Sequence, residues 1–381
     1  MVDSPTIQMV DLKGQYRRLQ TEIDRAVLDT IRSGAFINGP VVRDFSARLS
    51  AYTGAKYVIP CANGTDALQI ALMSLDLKPG DEVIVPAFTY VATAEVVALL
   101  GLVPVMVDVD PDTFNLPVAG VQAALTPRTR AVVPVHLFGQ STGMEPLLAL
   151  TRQHGIAVIE DNAQAIGARY TFTDGRVAQT GTMGDIGTTS FYPSKNLGAY
   201  GDGGAVFTDD ERLAERLRSI ANHGQAERRY YHDEVGVNSR LDAVQAAILA
   251  VKLGHLDEFV AARQRAAAHY DEALSTVEAL TLPVRDSRST HVFHQYTLRV
   301  ADGRRDALAA YLRERGVPSM IYYPVPLYRQ RAFAPYWDGQ ALPTTELLCR
   351  EVLSLPMHTE LDTAALEHIT TTIRQFFTQA A

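Results

Sequence analysis

The chain has 381 residues, of which 47% are hydrophobic and 20% are charged, and its formal net charge is -8. This composition is typical of a globular protein, and the length allows one large domain and a smaller one. The acidic balance argues against general affinity for nucleic acid or for an anionic membrane. No apolar run reaches the roughly 20 residues of a membrane span, and the N-terminus lacks a signal-peptide pattern. We therefore expect a soluble protein.

The two cysteines, Cys61 and Cys349, lie far apart in the sequence. Their number and spacing predict neither a disulfide framework nor a cysteine metal site. We therefore expect reduced thiols, no bound metal and a cytoplasmic location.

Short apolar runs alternate with helix-like segments through the first two thirds of the chain. The predicted strands cover residues 57–60, 82–86, 103–109, 131–135, 157–160, 188–192 and 205–208. The predicted helices cover residues 65–75, 91–100, 117–124, 145–153, 212–222 and 239–259. Several strands are apolar on successive residues, which is typical of strands covered on both faces. The pattern predicts an α/β fold with a mostly parallel central sheet flanked by helices.

The pattern changes after the long helix predicted at 239–259. Strands are predicted at 291–300 and 319–323, and helices at 304–314 and 363–378. These elements predict a smaller C-terminal α+β domain. We place the boundary near residue 255, which gives a large domain of residues 1–255 and a small domain of residues 256–381.

Two segments that follow predicted strands carry candidate ligand-binding residues. Asn63, Gly64 and Thr65 lie between a strand and a helix, where glycine lets backbone N–H groups approach an anion. The same residues are also suited simply to cap the helix. Tyr90 follows the next strand, where an aromatic ring can stack on a flat heteroaromatic ligand or pack in the core.

Asp161 and Gln164 follow the strand predicted at 157–160. A carboxylate at this position can keep a pyridine nitrogen protonated, so that the ring accepts electrons. A neighbouring amide can donate to a phenolate oxygen on the same ring. Asp161 is equally suited to cap a helix.

Ser190 and Lys195 lie in and beside a glycine-rich loop between two strand-like runs. The serine hydroxyl can hold a phosphate, and the lysine amine can bond to an aldehyde and then move protons between carbon atoms. A solvent-facing lysine is the ordinary alternative, but the neighbours of Lys195 are Pro, Ser, Asn and Gly rather than charged residues. A lysine that bonds an aldehyde and an aspartate that pairs with a ring nitrogen are the two groups that pyridoxal 5'-phosphate needs.

Four motifs follow one another in the order of a known family. They are Asn-Gly-Thr-Asp-Ala-Leu at 63–68, Pro-Ala-Phe-Thr-Tyr-Val-Ala-Thr at 86–93, Glu-Asp-Asn-Ala-Gln at 160–164 and Ser-Phe-Tyr-Pro-Ser-Lys-Asn-Leu-Gly at 190–198. Together they resemble the DegT/DnrJ/EryC1/StrS family of pyridoxal-phosphate-dependent aminotransferases of nucleotide-linked sugars. The resemblance covers nearly the whole chain and implies the aspartate aminotransferase-like (type I) fold.

The resemblance implies a role for each matching residue. Lys195 and Asp161 are the implied catalytic residues: Lys195 bonds the cofactor and Asp161 pairs with its ring nitrogen. Further implied cofactor contacts are Gly64, Thr65 and Ser190 at the phosphate, Tyr90 on the ring, Gln164 at the phenolic oxygen, and Asn238 at the phosphate of a neighbouring subunit. A homodimer with two shared active sites is therefore implied. Some relatives are dehydratases with histidine in place of the lysine, so Lys195 favours amination.

Within this family the chain most resembles the branch that aminates C3 of UDP-2-acetamido-2-deoxy-3-keto-glucuronic acid. The resemblance implies Arg240 as a sugar contact and places Tyr322 and Tyr323 at a substrate-contacting position. Arg229 is a further candidate for binding an anion, and it is equally suited to a solvated charged face. His294 can either line the site or pack in the core. That branch has His-Tyr where this chain has Tyr322-Tyr323, and a tyrosine cannot carry positive charge near neutral pH. This departure leaves 3-keto-6-deoxy sugars and 4-keto sugars, linked to dTDP or UDP, as alternatives.

The expected reaction moves an amino group from glutamate, through the pyridoxamine phosphate form of the cofactor, to a nucleotide-linked keto sugar. Its products would be amino sugars for cell-surface polysaccharides or secondary metabolites. A non-catalytic regulator of the same fold, able to bind DNA or sense a ligand, is the alternative from another class. The acidic balance and the presence of Lys195 disfavour it.

Overall fold

The computed structural model describes residues 7–225, 228, 230–337 and 339–379. The strands of this part of the chain are β1 (Tyr57–Cys61), β2 (Glu82–Pro86), β3 (Val103–Val107), β4 (Thr129–Val132), β5 (Ala157–Asp161), β6 (Arg169–Thr171), β7 (Val177–Gln179), β8 (Ile186–Ser190), β9 (Gly204–Thr208), β10 (Leu280–Thr281), β11 (Tyr296–Val300) and β12 (Val352–Leu355). Its α-helices are α1 (Leu12–Ser33), α2 (Pro40–Thr53), α3 (Gly64–Met73), α4 (Ala92–Leu99), α5 (Val118–Ala123), α6 (Met144–His154), α7 (Glu211–Ala221), α8 (Ala243–Leu253), α9 (Leu256–Leu274), α10 (Arg305–Glu314), α11 (Pro343–Glu351) and α12 (Thr363–Gln379).

A seven-stranded sheet in the order β1-β9-β8-β5-β4-β2-β3 forms the centre of the fold. The pairs β2/β3, β2/β4, β4/β5 and β5/β8 are parallel, whereas β9 runs antiparallel to both β8 and β1. The predicted α/β fold with a mostly parallel sheet is therefore confirmed.

Helices cover both faces of this sheet. Successive side chains of a strand point to opposite faces, and in the central strands the side chains on both faces are apolar. In β2, Val83 and Val85 belong to the apolar cluster that also contains residues of α3, α4 and α7. Ile84, between them, belongs to a different cluster with residues of α6. A further cluster, at the end of the sheet formed by β1 and β9, joins α1, α2 and α8 to Phe207. This two-sided burial explains the nearly continuous apolar runs of the central strands.

The strand directions bring four chain segments to one edge of the sheet. Strands β1, β2, β5 and β8 all point toward this edge, where they end at Cys61, Pro86, Asp161 and Ser190. Ligands of open parallel sheets bind at such an edge, beyond the carboxyl ends of the strands.

The C-terminal part contains the antiparallel sheet β10-β11-β12. Its apolar core joins β11 and β12 to α9, α10 and α12. The proposed domain boundary near residue 255 stays a prediction. Residues of the segment 327–342 pack into the cluster with α3 and α4, so the chain returns to the large sheet after residue 300.

Three local predictions were wrong. The helix predicted at 239–259 is two helices, because Gly254 and the non-helical backbone of His255 separate α8 from α9. Only the second half of 291–300 is a strand, namely β11. Residues 319–323 form no strand, and Met320 makes only a single β-bridge, to Ser354. The prolines on both sides of this segment lack the backbone N–H group that would donate to a neighbouring strand.

No helix among the described residues has the length and apolar character that a membrane crossing needs.

Candidate active site

The loop that carries Lys195 is closed tightly on itself. Phe191 N–H donates to the carbonyl oxygen of Gly203 at 2.7 Å, and Ala199 N–H donates to the carbonyl oxygen of Phe191 at 2.8 Å. A Cβ atom at Gly198 would lie 2.3 Å from the carbonyl oxygen of Pro193, so only glycine fits there. These hydrogen bonds and this close packing fix the backbone on both sides of Lys195, just beyond the end of β8.

The Lys195 amine is less basic than an ordinary lysine. Removal from water lowers its pKa to about 8, and the nearby carboxylate of Asp161 opposes this shift. A lowered pKa increases the fraction of free amine near neutral pH, which is the form that attacks an aldehyde. The geometry thus brings together the two side chains that the sequence singled out for covalent and electrostatic roles.

Asp161 is 5% exposed, and its backbone is held by the segment that follows β4. Its N–H donates to the carbonyl oxygen of Pro134 at 2.9 Å, and its carbonyl oxygen accepts from His136 N–H at 3.0 Å. The carboxylate accepts from the Thr93 hydroxyl at 2.9 Å and from Ala163 N–H at 3.1 Å. Residues 163–167 form turns rather than a helix, so the helix-capping alternative for Asp161 does not apply.

Gln164 has a fixed amide orientation. Its Oε1 accepts from Phe138 N–H at 2.7 Å, and its Nε2 donates to the Tyr323 hydroxyl at 3.3 Å. An amide nitrogen has two hydrogens, so one remains to donate to a ligand. The ring of Tyr323 also lies 6.5 Å from the half-exposed ring of Tyr90. The structure therefore brings Gln164, Tyr323 and Tyr90 to one place.

The N-terminus of α3 meets the end of β8. Asn63 accepts from Asp66 N–H at 2.8 Å and caps the helix. A Cβ atom at Gly64 would lie 2.6 Å from Cβ of Ser190, so the absence of a side chain is what allows this contact. The first N–H groups of a helix lack intrahelical acceptors and favour an anion. With the hydroxyl groups of Thr65 and Ser190 they form a cradle of donors of the kind that bind a phosphate.

The predicted substrate contacts do not all lie here. Tyr322 is next to Tyr323, with ring centroids 5.9 Å apart. Arg240 lines a different cavity of about 450 Å³, together with Arg43 and Arg218, and Asn238 is exposed. Arg229 lies outside the described residues.

His294, which the sequence offered either as a residue lining the site or as a core histidine, is 5% exposed. Among the described residues its Nδ1 has no hydrogen-bond partner, and burial together with the charges of Lys195 and Arg263 holds its pKa well below the ordinary value. A neutral imidazole therefore lies within electrostatic range of the Lys195 amine. The burial of His294 and its closeness to Lys195 could not be read from the sequence.

Glu160, directly before Asp161, has a role that the sequence did not reveal. Its fully buried carboxylate accepts from Gly181 N–H at 2.8 Å, Met183 N–H at 2.5 Å and Gly184 N–H at 2.6 Å. His136 accepts from Thr142 N–H through Nδ1, so its Nε2 carries the proton that it donates to Glu160 at 2.8 Å. Glu160 thus fastens the end of β5 to the turn that leads into β8.

These side chains fit pyridoxal phosphate. The Gly64–Ser190 cradle suits its phosphate, Asp161 retains unused acceptor positions for a ring nitrogen, and Lys195 offers an amine with a lowered pKa. The structure named "S. venezuelae DesV in complex with ketimine intermediate" superposes with a TM-score of 0.93 at 40% identity, covering 98% of this chain and 99% of that chain. The fold and the site define a pyridoxal-phosphate-dependent aminotransferase of the aspartate aminotransferase type.

The chain belongs to the DegT/DnrJ/EryC1/StrS aminotransferase family, whose model matches residues 17–374. It is 47% identical to the UDP-2-acetamido-2-deoxy-3-oxo-D-glucuronate aminotransferase of Pseudomonas aeruginosa, over 95% of this chain and 98% of that protein. It is 44% identical to the UDP-N-acetyl-3-dehydro-alpha-D-glucosamine 3-aminotransferase of Acidithiobacillus ferrooxidans, over 98% of this chain and 99% of that protein. It is also 46% identical to a Geobacillus stearothermophilus protein named pleiotropic regulatory protein, over 97% of this chain and 98% of that protein. The predicted family, enzyme class and cofactor are confirmed.

Replacing Glu160 with glutamine should destabilise the protein strongly. The amide would turn an N–H₂ group toward backbone N–H donors and lose the charge that strengthens four hydrogen bonds. We expect Glu160→Gln to lower the free energy of unfolding by about 3 kcal/mol, measured by urea denaturation. The matched control is Glu272→Gln, which changes an exposed glutamate of α9 and should leave the midpoint unchanged. Equal midpoints for the two variants would contradict this role of Glu160.

Proposed function

We propose that this aminotransferase moves an amino group from glutamate to C3 of a nucleotide-linked keto sugar, with Lys195 as the residue that bonds the cofactor. The observation that carries the role of Lys195 is its position beside the buried carboxylate of Asp161, and burial lowers the pKa of its amine to about 8. Pyridoxal phosphate supplies a ring that accepts electrons from the carbon atom bearing the amine. The residues of this chain then have to hold that ring and move protons.

In this proposal Asp161 keeps the ring nitrogen protonated. Its carboxylate is fixed by the Thr93 hydroxyl and by Ala163 N–H, so it would pair with the ring nitrogen without side-chain rearrangement. Gln164 would donate its remaining N–H to the phenolic oxygen, and Tyr90 would stack on the ring. Gly64, Thr65 and Ser190 would hold the phosphate at the N-terminus of α3.

Lys195 acts as the base and acid of both half-reactions once its amine is free. With a pKa of about 8, the amine can both take and release a proton near neutral pH. A histidine at this position could not form the covalent bond to an aldehyde that a primary amine forms. Lys195 therefore supports amination rather than dehydration.

The relatives support C3 as the position of amination. The names of the Pseudomonas and Acidithiobacillus enzymes both place the oxo or dehydro group at position 3. Tyr322 and Tyr323 are proposed to contact the sugar, and burial raises the pKa of both hydroxyl groups. Both side chains are therefore neutral hydrogen-bonding groups, and the nature of the substituent at C6 stays open. Both cysteines are free and buried, which is consistent with the proposed cytoplasmic location.

The substrate can be identified by loading the protein with pyridoxamine phosphate and offering UDP- and dTDP-linked 3-keto and 4-keto sugars. A 3-keto sugar should restore the visible absorption of the lysine-bound cofactor, because it accepts the amine. In the control, 2-oxoglutarate should restore the same absorption, because the glutamate half-reaction is reversible. If only a 4-keto sugar restored the absorption, C3 as the position of amination would be overturned. If 2-oxoglutarate did not restore it, glutamate as the amino donor would be overturned.

We also propose that two copies of the chain share their active sites. Asn238 is exposed, and Arg240 lines a cavity with two other arginines. From a partner subunit, these side chains would supply a phosphate ligand and a cation for an anionic sugar or diphosphate. Exposed apolar side chains of α1 and the segment after it supply a surface for such an interface: Leu28, Ile31, Phe36 and Ile37.

Shared sites predict complementation between two defective chains. Lys195→Ala removes the amine, and Asn238→Asp places a negative charge against the phosphate of the other subunit. Each variant alone should be inactive, whereas a co-expressed mixture should recover about a quarter of wild-type activity, since half of randomly formed dimers contain one intact site. Activity no greater than the sum of the separate variants would contradict a shared site.

A further inference from the structure

A second lysine, Lys252 of α8, is buried against the loop that carries Lys195. Only 1% of Lys252 is exposed, and its Nζ donates to the carbonyl oxygen of Gly198 at 2.8 Å. The same Nζ lies 4.1 Å from the centroid of the Tyr200 ring. Among the described residues no carboxylate forms an ion pair with it.

Burial of this amine is costly for the fold. An ammonium without a carboxylate partner is expensive to remove from water, and burial lowers the pKa of Lys252 to about 7. An apolar side chain of similar length would fill the same space at lower cost. Packing alone therefore does not explain a lysine at this position, and its amine must have a further role.

The same face of α8 holds the loop by hydrogen bonds at two residues, Gly198 and Tyr200. Gln245, seven residues before Lys252, accepts from Tyr200 N–H at 2.9 Å and donates to the Tyr200 carbonyl at 3.3 Å. The neighbouring loop side chains, Leu197 and Ala199, are fully buried in an apolar cluster. Without Lys252 the Gly198 carbonyl would face this apolar cluster without a hydrogen-bond donor. The Gly198 peptide group would then have to rotate to find another donor.

Rotation of the Gly198 peptide group would move Lys195. Gly198 lies three residues after Lys195, and its backbone is packed against the carbonyl of Pro193, so the two ends of this short turn cannot move independently. Lys195 N–H donates to the Tyr192 carbonyl at 2.8 Å in the same turn. Displacement of a catalytic group by 1 Å can reduce a rate by a factor of about 100.

We propose that Lys252 is a positioning residue, which holds the Gly198 carbonyl and thereby keeps the Lys195 amine in its working place. This role rests on the proposed function of Lys195. It requires no contact between Lys252 and the cofactor or substrate. The donor is needed in either protonation state, because a neutral amine also donates a hydrogen bond.

The test compares Lys252→Met and Lys252→Gln with wild-type protein. Met removes the donor and keeps the volume, so kcat should fall at least about tenfold while KM for the nucleotide sugar changes less than about threefold. Gln keeps an uncharged donor and should give an intermediate kcat. Lys78→Met, at an exposed lysine, is the matched control and should behave as wild type.

Amide hydrogen exchange of the apoprotein separates positioning from general destabilisation and does not depend on the role of Lys195. Exchange in residues 195–203 should accelerate in Lys252→Met, while the rest of the chain and the unfolding midpoint stay as in wild type. Unchanged loop exchange and kcat would overturn the proposal, as would uniformly faster exchange with a lower midpoint. If Lys252→Met does not fold, Lys252→Gln decides: wild-type kcat and loop exchange would overturn the proposal.

Discussion

The arrangement of the active site depends on one buried carboxylate, that of Glu160. It lies one residue before Asp161 and on the opposite face of β5, where three backbone N–H groups and His136 surround it. These bonds tie β5 to the turn before β8, so the strand ending at Asp161 and the strand ending at Ser190 are held in one register. The proposed partner of the cofactor ring, Asp161, and the proposed partner of its phosphate, Ser190, are thereby placed by the same interaction.

The buried cations are the second constraint on this site. Arg263 is 3% exposed and binds backbone carbonyls rather than a carboxylate, at 3.0 Å to Phe293 and 2.9 Å to Met357. Lys252 binds the carbonyl of Gly198 in the same way. Burial and the charges of Lys195 and Arg263 lower the pKa of His294 and so keep its imidazole neutral. The buried cations Arg263 and Lys252 are thus held by backbone carbonyls and leave the carboxylate of Asp161 free for other partners.

The sequence predicted the fold class and most of the site because the signals are local. Asp161, Ser190 and Gly64 follow or precede strands of a parallel sheet, and the sheet brings those strand ends together whatever the details of packing. Lys195 was conspicuous because its neighbours are small and uncharged. The prolines around 319–323 and Gly254 were equally local signals, and each ended an element that apolar patterning had extended.

The parts that the sequence did not predict depend on tertiary contacts. Nothing near Lys252 indicates that its amine reaches a carbonyl 54 residues away, and nothing near Glu160 indicates three donors from the turn at 181–184. Asn238 and Arg240 differ again, because their proposed roles require a second copy of the chain. Local patterns thus identified the groups for chemistry, whereas the groups that hold them in place became visible only in the folded chain.

The measurement that tests the central claim most directly is borohydride reduction of the holoenzyme, followed by mass spectrometry of its peptides. Reduction makes the bond between lysine and cofactor permanent, and the chain offers only five lysines: Lys13, Lys56, Lys78, Lys195 and Lys252. The account predicts a phosphopyridoxyl group on Lys195 alone, and none after prior conversion to the pyridoxamine phosphate form with glutamate. Labelling of any other lysine in its place, or no labelling of Lys195, would contradict the account.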